Sequence, residues 1–199
     1  MKQTVKKTTA VIAIALTVCC AVALAIAIAP GLLSVQTLTQ VGHSYPDYTV
    51  YELETASDRI EHCRLVDIRP AEYTSAEGRA DTITTDYIFE SLETDGYFVL
   101  RLIGGVVGDT AVENSDHTHE AMAVDAEYVL FLNSLGALSE TVTYTVNEEE
   151  ITFTDCYSLM IGAGSVFVTS GVPAEGVASS FDGKYSVQLP LLAEMYTEK

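Results

Sequence analysis

Tryptophan is absent from the 199 residues, which removes the strongest stacking platform for sugars, although 11 tyrosines remain. Positive charge is scarce: 10 Lys plus Arg face 28 Asp plus Glu, for a net charge of −18. A chain this acidic repels phosphate, so a nucleic-acid binder driven by charge is excluded. Long apolar runs are missing except for one, which excludes a polytopic membrane protein. Catalytic signatures are missing as well. The chain holds no Gly-x-Ser-x-Gly and no His-Glu-x-x-His, and no Ser-x-x-Lys follows residue 30. With 28 acids, a chance pair of carboxylates carries no information about glycoside cleavage. No catalytic residue is assigned.

What is present divides the chain in two. The mean hydropathy is +0.24, high for so acidic a protein, because apolar and charged residues are segregated. Residues 1–30 hold Lys2, Lys6 and Lys7 and no acid, leaving −21 for the rest. The stretch Val11 to Pro30 is uncharged and long enough to cross a ~30 Å hydrocarbon core as a helix. The lysines before it predict a cytoplasmic tip at 1–10, a transmembrane anchor at 11–30 and an extracytoplasmic remainder. The rival reading is a cleaved signal peptide, which makes the remainder secreted. Cys19 sits in a poor lipobox, since Val18 is bulky; the plain reading is that Cys19 and Cys20 fill apolar helix positions.

Residues 31–46 are uncharged and rich in Gly, Ser, Thr and Pro, and read as a spacer. Residues 47–199 have the length of one domain, and no repeat interrupts them. The pattern is mainly β. Tyr48–Leu53 reads as a strand by composition. Ser57–Cys63 reads as a short helix capped by Ser57, or as a bend. Thr82–Leu92 and Tyr97–Ile103 flank an Asp95-Gly96 turn and form the clearest hairpin. Tyr128–Leu132 is continuously apolar, as a strand buried on both faces would be. Thr141–Val146 and Ile151–Phe153 flank a hairpin tip at 147–150, and Gly162-Ala163-Gly164 separates two further short strands. Pro190–Met195 fits a terminal helix with Pro in its first turn. Many short strands and closely spaced turns predict a small, partly closed barrel or a sandwich.

Four segments occur in a suggestive order: Asp86-Tyr87-Ile88-Phe89, Val99–Gly105, Tyr128–Leu132 and Gly162–Val168. The order resembles a loose group of mostly uncharacterised secreted or membrane-anchored β-domain proteins. In that group a strand ending in Gly-Gly precedes a YLLFL-type strand and a Gly-rich hairpin. The likeness covers about 85–170. It implies a partly closed, OB-like barrel and no particular activity. The acidic segment between Gly108 and Tyr128 departs from the pattern.

Asp116-His117-Thr118-His119-Glu120 is the one constellation with metal-binding chemistry. On an extended strand, His117 and His119 would share a face, and with Glu120 or Asp116 they could hold zinc or another divalent ion. His62 or His43 could complete the set. The plain alternative is a solvated loop. Cys63 and Cys156 are the only cysteines beyond the apolar run. Outside the cytoplasm an even pair predicts a disulfide, with two buried thiols as the alternative. Glu148-Glu149-Glu150 diverge at a hairpin tip, and no EF-hand spacing occurs. Two functional classes follow. One is a non-enzymatic surface module that meets a cell-surface or cell-wall partner through its charge. The other is a metal-binding protein or metal-dependent hydrolase centred on His117 and His119.

Overall fold

In the computed structural model, residues 37–41, 45–74 and 82–197 are described. The expected anchor at 11–30 and His43 lie outside them. Among the described residues, two α-helices and twelve strands follow in order: β1 (Thr37–Val41), α1 (Val50–Ala56), β2 (Arg59–Ile68), β3 (Glu72–Thr74), β4 (Thr82–Ser91), β5 (Tyr97–Ile103), β6 (Gly105–Val107), β7 (Thr110–Asn114), β8 (Glu127–Val146), β9 (Glu149–Leu159), β10 (Val166–Val168), β11 (Val177–Ser179), β12 (Ser186–Gln188) and α2 (Leu189–Thr197). The molecule is mainly β, as composition predicts.

Tyr48–Leu53 is a correction. β-branched and aromatic residues suggest a strand, but Thr49 and Glu52 form a reciprocal capping box that starts α1. The Glu52 carboxylate accepts from Thr49 N–H at 2.7 Å, and Thr49 Oγ accepts from Glu52 N–H at 3.2 Å. Ser57 is also corrected: it ends α1 rather than starting a helix, and β2 begins at Arg59.

The main sheet runs β10-β8-β2-β4-β5-β9, and β8 also pairs with β9. The path therefore closes into a ring of five strands, β8-β2-β4-β5-β9. All its pairings are antiparallel except β5 with β9, which meet in parallel at Leu100 and Tyr157. β8 can serve two neighbours because it is 20 residues long. Its first part pairs with β2, and its remainder forms the long hairpin with β9. Register shifts around Ala137 break that ladder, and such irregularities bend a strand. Asn147 and Glu148, at φ 49° and 70°, make the two-residue tip.

Alternation along the ring strands sorts three clusters. Leu65, Tyr87, Phe89, Phe98, Leu100, Tyr128, Leu130 and Leu132 share the first, with Ala121 and Met122 packed among them. Val129 and Phe131 point the other way, into a second cluster with Leu53 of α1, Val187 of β12, and Leu192 and Met195 of α2. Tyr128–Leu132 is thus buried on both faces, as its unbroken apolar run predicts. A third cluster lies on the opposite face of β4 and β5 from the first. There Ile88 and Val99 meet Val146, Phe153 and Cys156 of the β8–β9 hairpin.

Candidate functional site

The most distinctive cleft lies where β4, the β5–β6 junction, β7 and the turn after β7 meet. It has a volume of about 440 Å³ and is lined by Tyr87, Val106, Val112, Asn114, His119 and their neighbours. Gly104 shapes it. Its φ is +132°, and a Cβ there would collide with the His119 ring. The Gly-Gly pair after β5 thus serves a close backbone approach.

His117 and His119 are not on a strand. His117 has φ 55° and leads into a single 3-10 turn, Thr118–Ala121. The extended His-x-His geometry is therefore corrected: the pair stands at the start of a tight turn, where strand alternation does not set which way the rings face. Tyr128 pins this turn: its hydroxyl accepts from Ala123 N–H at 2.8 Å and donates to Ala121 O at 3.0 Å.

The His119 ring is engaged at both nitrogens. Nε2 lies 2.9 Å from Ile103 O, and a carbonyl only accepts, so Nε2 carries the proton. Nδ1 then accepts from the Tyr87 hydroxyl at 2.5 Å. Burial pushes the Tyr87 phenol up to about 12, so it remains a donor at neutral pH. His119 acts as a clamp between β4 and the end of β5. His117, more exposed, meets Glu120 at 3.0 Å.

Asp116 precedes the same turn. Its Oδ1 accepts from Thr118 N–H at 3.1 Å and also from the Thr118 hydroxyl. Its Oδ2 is enclosed without a partner among the described residues. Gly162 permits this approach, since any Cβ there would strike that carboxylate. Burial, and secondly the charge of Asp116, push the nearby Tyr45 phenol up to about 12. Among the described residues, no three His, Cys, Asp or Glu side chains converge on a common point to hold a metal ion.

The expected Cys63–Cys156 disulfide is also corrected. Both thiols are free and buried. Cys63 belongs to the first cluster and Cys156 to the third, so the sheet layer of β4 and β5 stands between them. Burial raises both thiol pKa values, which disfavours the nucleophilic thiolate. His62 points away from Cys63 and pairs with Glu93 at 3.0 Å while stacking on Tyr196.

Sequence reasoning missed two features. Asp86 and Arg101 form a buried bidentate pair at 2.7 and 2.6 Å, and Asp86 also accepts from the Tyr144 hydroxyl at 2.8 Å. The hydrogen bonds that Arg101 donates to Asp86 raise its pKa. Asp and Arg facing each other across the Asp95-Gly96 hairpin were the available signal. The second is a recess of about 320 Å³ between β2, the 91–96 turn and α2. Within it Arg59 pairs with Glu61 at 2.7 Å, and His62 meets Glu93 at 3.0 Å.

No protein-family model, curated protein or solved structure matches this chain.

Proposed function

We propose that this chain is an extracytoplasmic β-domain, tethered through residues 11–30 or secreted after cleavage, that works as a non-enzymatic binding module. Its partners would be cell-surface or cell-wall molecules, not nucleic acid. The observation that carries the reading is the cleft beside Tyr87: its volume falls in the range of ligand pockets, and its walls are largely apolar. The same reading takes the strand ring as a small OB-like barrel. Numbered in chain order, the ring strands run 4-1-2-3-5 and return to 4, with 3 and 5 parallel.

The test screens cationic, neutral and anionic small molecules against the full chain in detergent micelles by ligand-observed NMR. Val106→Trp blocks the cleft from an exposed position. Ligands lost on V106W support the reading; the absence of V106W-sensitive ligands overturns it.

One observation favours a second reading, a metal-binding protein or metal-dependent hydrolase centred on His117 and His119: the neighbouring Asp116 Oδ2 is enclosed with no partner among the described residues. His119 could join only by releasing Tyr87. Stoichiometric zinc uptake by the full chain, lost in both Asp116→Asn and His117→Ala, would support that reading. Uptake unchanged by either substitution would remove it.

A further inference from the structure

We infer that the cleft beside Tyr87 takes a small organic cation with a hydrogen-bond-accepting oxygen near its ammonium group and one apolar face. This rests on the reading of that cleft as the binding site, and it names the ligand class.

Three observations meet there. First, Val106, Ala111, Val112 and the Tyr87 ring line an apolar surface that has no polar partner to offer. Second, Asn114 is only 7% exposed and still has an unused donor. Its Oδ1 accepts from Asp116 N–H at 3.4 Å, which leaves the Nδ2 amide without a partner among the described residues. Asn114 lines the cleft, and its Nδ2 is not among the fully enclosed orphan atoms. Solvent can reach that donor, and a ligand oxygen that replaces water there would take it as a partner. Third, the carboxylates of the lining are Glu113 and Glu120, the second of which meets His117. Glu113 has no ion-pair partner among the described residues.

An anionic ligand would meet these carboxylates and the net −18 of the chain. A neutral ligand would satisfy Asn114 and leave Glu113 desolvated. A cation with an adjacent oxygen answers both groups, and the wider acidic surface raises its local concentration.

Three probes of one ring size test the assignment on the full chain in micelles by isothermal titration: glucosamine, N-acetylglucosamine and glucuronate. Glucosamine is expected to bind at least tenfold more tightly than the other two. The Glu113→Gln/Glu120→Gln double variant should weaken it tenfold or more. The same charge change at the hairpin tip, Glu148→Gln/Glu149→Gln, should weaken it less than twofold. Equal losses in the two double variants would mean general charge attraction and overturn the assignment. Tighter binding of N-acetylglucosamine or glucuronate, sensitive to Val106→Trp, would overturn the cation assignment and leave the cleft as the binding site. Failure of all three probes, together with an empty V106W-sensitive set in the wider screen, would overturn both.

Discussion

The ring of strands is covered on two outer faces by different means. Over β2 and β8 the cover is α1, α2 and the β11–β12 hairpin, and the contact is made by apolar side chains such as Leu53, Phe131 and Leu192. Over β4 and β5 the cover is the chain's own β8–β9 hairpin. There the apolar cluster is smaller, and the Asp86–Arg101–Tyr144 network stands beside it. Arg69 adds a guanidinium 4.6 Å over the Tyr144 ring. An apolar layer gains from every buried area and tolerates small shifts. A buried ion pair gains little net energy over an apolar substitute, but it penalises every arrangement that separates its members. The first cover is held by area; the second has its position specified by charge.

Phe131→Ala attacks the area-driven cover at a fully buried position. It should cost about 3–5 kcal/mol, the largest effect expected, read as a lowered denaturation midpoint. Arg101→Met leaves Asp86 buried and unpaired, which should cost about 3 kcal/mol. Adding Asp86→Leu to it should recover most of that loss. If the double variant stays as unstable as the single one, the charge-specified account of the hairpin cover fails. Tyr144→Phe removes a hydrogen bond to a carboxylate and should cost about 1.5 kcal/mol, with faster amide exchange confined to the hairpin. Thr49→Ala removes half of the α1 capping box and should cost about 1 kcal/mol.

The smallest effect belongs to the cleft and is read against pH. The Tyr87 phenol is raised from 10 to about 12 by burial, so the folded state favours its protonated form. The stability linked to it is complete below pH 10 and is lost as pH rises through about 12. Tyr87→Phe should therefore flatten the fall in stability across that alkaline window. An unchanged alkaline slope in urea titrations would show that the Tyr87–His119 contact opens before the phenol ionises.

Much of the fold is readable from local signals. Asp95-Gly96 marks the β4–β5 hairpin, the apolar run 128–132 marks a strand buried on both faces, and Pro190 falls in the first turn of α2. One local signal was overlooked: Thr49 and Glu52 stand at capping-box spacing, and their reciprocal bonds outweigh the β-rich composition between them. Less of the site is readable. His-x-His implies a shared face only on extended backbone, and the positive φ at His117 ends that premise. An even cysteine count implies a bridge only when both thiols face one side of a sheet.

Charge segregation, the β-rich pattern and the turns follow from the amino-acid sequence alone, because they depend on residues within a few positions of one another. Tertiary structure decides the ring closure through β8, the placement of Cys63 and Cys156 on opposite faces, and the engagement of His119 by Tyr87 and Ile103. Each of these depends on register and on which side of a strand a residue faces. A one-residue change in register reverses that facing without altering composition.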